Sequence, residues 1–295
     1  MASAMRAVRK KAGVAVVAAA LVCGAAACSS SSDKDGKSDA KAEGRKQAEA
    51  SPRLAPAAAV KKATEASEKL TSFRYRAKGT VPGEGKVQAE AAMSIDPLRV
   101  SMKATTSESG TPETGEFRLI DGTMYIGNGK PDPELDNKSW IKISMDEKEL
   151  TEGEDGVSNQ AEKNPAAETS FLNGSKDLKL VGTETVEGVR TQHYTGTVTL
   201  DQMRDSLKGT SGPKRKSREK SLKEYESMGI KTFTMDMWAD EEDHTKQFRM
   251  RAKGAKGPMD LTITFLDYNK PVEVKAPPVA DTFDFAKEME AMGAS

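Results

Sequence analysis

The sequence predicts an α+β fold built on a single strongly curved antiparallel sheet, an incomplete barrel with helices on its concave face. Three observations predict it. Apolar side chains recur at every second residue in two long blocks, one from Phe73 to Ile143 and one from Leu178 to Phe265. Segments of helical period precede the first block and interrupt the second. The first 56 residues show neither period and read as a leader followed by a polar tether. Two meanders of strands separated by helices suggest one continuous sheet rather than two domains.

The leader comes first. Arg6, Arg9, Lys10 and Lys11 form a basic cluster, and Gly13–Ala27 is apolar and too short for a stable membrane helix. Small residues Ala25-Ala26-Ala27 stand directly before Cys28, and Ser29–Ser32 follow. That order reads as a secretory signal peptide. With the cysteine at the cleavage point it resembles a bacterial lipoprotein signal, although Ala25 stands where such signals most often carry Leu. The resemblance implies cleavage before Cys28 and a diacylglycerol on its thiol, a membrane anchor on the extracytoplasmic face. The alternative is an ordinary secretion signal with a chance cysteine. Cys23 is a poor competitor, because bulky Val22 precedes it. The expected division is a signal peptide at 1–27, a lipidated disordered tether at 28–56 and a folded domain at 57–295.

Removing residues 1–27 removes four basic side chains and no acidic ones, leaving acidic groups in slight excess. A nucleic-acid binder normally carries a strong basic excess, so none is expected as partner. Cys23 leaves with the signal and Cys28 is lipidated, so no disulfide is available and the fold must rest on packing.

The folded part opens with a helix near Ala57–Leu70, whose stripe Val60, Ala63, Ser67, Leu70 is thin and suits close packing on a sheet. The period then changes to two. Phe73, Tyr75 and Ala77 are followed by Val87, Ala89, Ala91, Met93 and Ile95, and then by Val100, Met102 and Ala104. Phe117 and Leu119 lead into Asp121-Gly122, a hairpin signal, with Met124 and Ile126 beyond it. Ile141 and Ile143 complete the first set. Residues 145–165 read as an acidic loop, Ala166–Leu172 as a short helix, and Leu178–Gly182 and Val189–Leu200 as strands. Asp201 is expected to cap a short helix through Leu207, Lys208–Lys220 to form a basic loop, and Glu219–Met228 a helix ended by Gly229. Strands through Phe233, Met235 and Met237, then Phe248 and Met250, then Leu261, Ile263 and Phe265 follow, with an acidic turn at Ala239–Asp243. A short helix over Phe283–Met292 closes the chain.

Seven methionines share the parity of the inward side chains: Met93, Met102, Met124, Met235, Met237, Met250 and Met259. Strands normally favour β-branched and aromatic residues. Methionine is flexible and polarisable, and suits surfaces that adapt to variable apolar ligands. Two readings stand: a deformable apolar pocket for acyl chains, or a core that uses methionine as filler. The candidate lipid-binding residues are Met93, Met102, Met124, Phe233, Met235, Met237, Met250, Leu261, Ile263 and Phe265.

The pattern also resembles a family. The lipobox-like cysteine, the tether, Ser72-Phe73-Arg74-Tyr75, Arg118-Leu119-Ile120-Asp121-Gly122-Thr123-Met124-Tyr125-Ile126, Trp140-Ile141-Lys142-Ile143, Met237-Trp238-Ala239-Asp240-Glu241 and Asp267-Tyr268-Asn269-Lys270-Pro271-Val272 together resemble the LppX/LprG-type lipoproteins of actinobacteria, within the LolA/LolB-like fold. The resemblance covers most of residues 57–285. It implies an incomplete barrel around helices, whose cavity carries lipids or acylated glycolipids across the envelope. The loops at 145–165 and 208–220 are departures from it.

Catalytic signatures are missing: there is no HExxH, GxSxG, P-loop or GxGxxG before a helix. His244 beside Asp240, Glu241, Glu242 and Asp243 reads as a solvated turn, because consecutive residues do not converge on a metal. Neither a cofactor nor a catalytic metal is expected, and the chain reads as a binding protein rather than an enzyme. Lys214, Arg215, Lys216, Arg218 and Lys220 could touch anionic headgroups or merely solvate a loop. Trp140 and Trp238 have the parity opposite to Ile141 and Met237, and mark either the outer face or the mouth of a cavity. Two rival functions remain at this level. One is a module binding an envelope protein partner on the same scaffold; the other is a hydrolase with two converging carboxylates.

Overall fold

The computed structural model describes residues 55–107, 110–144, 164–208 and 212–288. The expected signal peptide, Cys28 and all of the expected tether but Ala55 and Pro56 lie outside the described residues, as does most of the 145–165 segment.

Helix α1 (Pro56–Ser67) begins with proline in its first turn, where no backbone N–H is needed. It buries Ala59, Val60, Ala63, Thr64 and Ser67, and the hydroxyls of Thr64 and Ser67 donate back to the carbonyls of Val60 and Ala63. The first meander then runs β1 (Ser72–Val81), β2 (Gly85–Ser94), β3 (Arg99–Ser107), β4 (Glu113–Ile120), β5 (Thr123–Asp132) and β6 (Lys138–Ser144). The β4–β5 hairpin turns at Asp121 (φ 48°) and Gly122 (φ 77°), two left-handed residues in succession, as the Asp-Gly pair predicts. Ile95, expected inward, is 48% exposed: β2 ends at Ser94, and Ile95 begins the turn to β3, its N–H bonded to the Thr71 carbonyl.

A 3-10 helix, Pro165–Gly174, starts at Asn164, whose side chain accepts from the Ala166 N–H. The second meander is β7 (Lys179–Val186), β8 (Val189–Thr199), β9 (Thr232–Asp240), β10 (Thr245–Gly254) and β11 (Gly257–Tyr268), with helices α2 (Leu200–Ser206) and α3 (Gly212–Ser227) between β8 and β9. Two local expectations change here. The cap of α2 is Thr199 rather than Asp201: Thr199 accepts from the Gln202 N–H and Gln202 reaches back to the Thr199 N–H, a reciprocal box that satisfies two terminal donors. The basic segment expected as a loop is largely helical, since α3 begins at Gly212; Pro213 falls in its first turn, and Arg215 pairs with Glu219 one turn on at 2.7 Å.

With a last short strand, β12 (Thr282–Asp284), the twelve strands of the described residues form one curved sheet, not closed into a barrel, in the order β12-β6-β5-β4-β3-β2-β1-β11-β10-β9-β8-β7. The two meanders join through β1 and β11, which pair antiparallel from Phe73–Tyr268 to Thr80–Asp260. The C-terminal strand β12 adds in parallel to β6, so Phe283, expected to open a helix, pairs in a strand beside Ile141. Residues 285–288 are helical, and the rest of the expected helix lies outside the described residues. The main core covers the inner face of β8–β11, where α1, the 3-10 helix, α2 and α3 contribute Val60, Phe171, Leu172, Met203, Leu222 and Tyr225.

Candidate functional site: an inner apolar face and an outer polar cluster

All ten candidate lipid-binding side chains share the inner face, but they fall into two environments. Phe233, Met235, Met237 and Met250 lie at most 3% exposed within the helix-covered core. Met259, on the same strand face, is fully buried there as well. Leu261, Ile263 and Phe265 sit at the seam, and Phe265 meets Phe73 and Tyr75 at ring distances of 6.1 Å. Burial pushes the Tyr75 hydroxyl up to about 12, so it stays neutral at any physiological pH.

The first meander differs. Met93 is buried, whereas Met102 and Met124 are half-buried, as is Phe117, which the sequence reading did not select. Strand register sets these residues in rows across the sheet. One row runs Phe73–Met93–Val100–Leu119–Met124–Ile143, and the next runs Tyr75–Ala91–Met102–Phe117–Ile126–Ile141–Phe283. Beside them runs a row of the smallest residues, Ala77–Ala89–Ala104–Gly115. Four adjacent strands thus carry no side-chain bulk along a strip roughly 14 Å long at the usual strand spacing, and Ala77, Ala89 and Ala104 in it are buried. The alanines were visible in the sequence as inward residues, but only register aligns them.

The outer face carries a cluster that sequence reading missed. His193 faces two carboxylates: Nδ1 lies 2.8 Å from Glu184 Oε1 and Nε2 lies 3.0 Å from Asp236 Oδ1. Trp238 stacks on the imidazole with centroids 4.2 Å apart and donates its Nε1–H to Glu184 Oε2 at 2.7 Å. Those bonds, from Trp238 first and then His193, hold the Glu184 carboxyl below its ordinary range. Asp236, 3% exposed, also accepts from Arg251. Both ring nitrogens are thus engaged by carboxylates. The signal that could have found the cluster is the outward parity shared by His193, Asp236 and Trp238, which β8–β9 register places side by side.

Trp140 also packs outside. Its ring lies against Gly127, where an added Cβ would come within 2.8 Å, and the Arg118 guanidinium sits 4.5 Å from the ring centroid. Both tryptophans therefore cover the outer face rather than a cavity mouth. His244 stacks on Tyr268 at 4.9 Å, and its N–H bonds Asp240. Among the described residues no group of three or more His, Cys, Asp or Glu is placed to hold a metal ion, and no helix is long and apolar enough to cross a membrane.

No family model matches the chain. An uncharacterized 31.2 kDa protein from the rplA–rplJ intergenic region of Streptomyces griseus is 30% identical over 164 residues, 54% of this chain and 52% of that protein. SCO4650 of Streptomyces coelicolor, a candidate lipoprotein, is 24% identical over 182 residues, 60% of this chain and 54% of that protein. The chain thus spans about half the length of the curated relatives it matches. Among solved structures, LprF from Mycobacterium bovis is 14% identical, covering 75% of this chain and 96% of its own, with a TM-score of 0.46. The Mycobacterium tuberculosis lipoprotein LppX is 14% identical, covering 75% and 98%, with a TM-score of 0.42.

Proposed function

We propose that the chain is an extracytoplasmic lipoprotein, anchored through Cys28, that binds a lipid or acylated glycolipid non-covalently for transport or retention in the envelope. The observation that carries this reading is the small-residue row Ala77–Ala89–Ala104–Gly115, flanked by half-buried Met102 and Phe117. An acyl chain laid along this row as in a trough contacts apolar side chains along its length, and each buried methylene contributes about 0.8 kcal/mol. Methionine and phenylalanine beside it adapt to chains of different shape. The four methionines under the helices serve as core, and the ligand face lies in the first meander. No catalytic step is assigned.

Native mass spectrometry of the chain extracted from an actinobacterial host tests this. A stoichiometric lipid mass is expected, and it should fall at least tenfold in occupancy in an Ala89→Leu/Ala104→Leu variant that fills the trough and keeps its cooperative melting transition. A clean apo mass that added lipids do not change would sink the reading and favour a protein-binding module. Unchanged occupancy in the folded variant would move the ligand away from the trough.

A further inference from the structure

The lipid reading leaves unused a pocket on the outer face, at the end of the sheet where α3 leads into β9. Its volume is about 500 Å³, and its wall includes Lys231, Thr232 and Thr234 from one side and Arg251 and Lys253 from the other, with Gly229 at the lip. It lies over the outward side chains at one end of β9 and β10, which run side by side in the sheet.

Its walls are held from behind. Gly229 takes φ +71°, and a Cβ on it would come within 2.7 Å of Ala255. The Ala255 N–H bonds the Met228 carbonyl at 2.7 Å, and the Leu200 N–H bonds the Lys231 carbonyl at 3.0 Å. The α3 end is thereby pinned to the β10–β11 turn and to α2, so the pocket exists before any ligand arrives.

The lining is one-sided in charge. It holds three cations and two threonines, and no carboxylate. Lys231 and Lys253 are exposed and form no ion pair among the described residues. Arg251 is different: Asp236 grips one terminal nitrogen, while its Nε–H is buried with no acceptor. Asp236 is itself shared with His193 and does not turn toward the lysines. A guanidinium fixed in orientation, two mobile ammonium groups and two hydroxyls offer more donors than one carboxylate can accept, and suit a tetrahedral phosphoryl group.

We propose that this pocket binds a phosphoryl oxyanion, supplied either as free phosphate or as the headgroup of an anionic phospholipid. The inference does not depend on the apolar trough and would stand if the trough proved to be packed core.

The test uses the chain from Ser29 onward, so that neither the apolar leader nor an acyl anchor inserts into vesicles. Inorganic phosphate is titrated calorimetrically at low ionic strength, and phosphatidylglycerol vesicles are offered in a flotation assay with and without competing phosphate. The Lys231→Gln/Lys253→Gln variant removes two exposed cations and should fold as the parent does; Arg251→Lys keeps charge but loses the planar fork. Phosphate binding weakened tenfold or more in both variants supports the site with free phosphate as ligand. Vesicle binding that phosphate competes away and the variants lose supports it with a lipid headgroup. No binding of either probe, or equal binding by parent and double-lysine variant, overturns the proposal.

Discussion

Single residues on the outer face decide much of the local order. Asp236 is 3% exposed and satisfied by His193 and Arg251, which makes a buried charge tolerable. Asp177 shows the same logic at the surface. Its Oδ1 accepts from the Ser175 hydroxyl and the Thr197 N–H, both at 2.7 Å, and ties the end of the 3-10 helix to β8. The Ser175 bond first, then the Thr197 N–H, hold its carboxyl at about 2, against 3.8 unperturbed. A carboxyl depressed by folding stabilises the fold above the unfolded value and loses that contribution as pH falls through the folded one. Asp177→Asn should therefore melt below the parent at pH 7, and the gap should close as the pH falls from about 4 toward 2. Equal melting temperatures at pH 7 would show that these bonds carry no net stability.

At the scale of elements, the seam between β1 and β11 is the joint on which the single sheet depends. Gly79 opposes Leu261, and a Cβ at Gly79 would lie 1.7 Å from the Asp260 carbonyl oxygen. No rotamer relieves a backbone clash, so the strands must separate. Gly79→Ala should destabilise by about 3 kcal/mol or more, in the range of severe core disruption. Gly182→Ala in β7, where nothing lies within 4 Å, is the control and should change stability by less than about 1 kcal/mol. Urea denaturation of both variants measures the difference. The small-residue row is likewise a property of paired elements, since β1, β2, β3 and β4 each contribute one residue to it.

At the scale of the molecule, an open sheet has two edges to protect. One is β7; the other would be β6, but β12 covers it. The Ser139 N–H bonds Asp281 at 3.0 Å, Lys142 pairs with Asp284 at 2.8 Å, and Phe283 packs on the small cluster of Leu135 and Ile141. Ending the chain after Pro278 should bare β6 and produce concentration-dependent self-association in sedimentation velocity, where the full chain sediments as one species. A truncated chain that remains a single small species would mean that β12 is not an edge guard. The β1–β11 joint also links residues at opposite ends of the domain, so the sheet cannot complete until both meanders exist.

How much of this was legible beforehand follows from the range of each interaction. Period-two alternation showed the strands, and Asp121-Gly122 showed a hairpin, because a turn needs only its own residues. Parity placed Met93, Met102, Met124, Met235, Met237 and Met250 on one face correctly, since successive side chains of a strand must oppose each other. Parity could not say which methionines the helices would seal, as α1 and α3 arrive from distant sequence. It could not align Ala77, Ala89, Ala104 and Gly115, because register is set by all the strands together. Nor could it bring Glu184, His193, Asp236 and Arg251 into one cluster, or set Lys231, Arg251 and Lys253 around one pocket. The amino-acid order alone determined the strand faces, the hairpin and the fold class through local sterics and hydrophobic period. Tertiary structure alone decided which inner side chains became core, which stayed half-buried, and which outer charges met, because those depend on the packing of segments the chain keeps far apart.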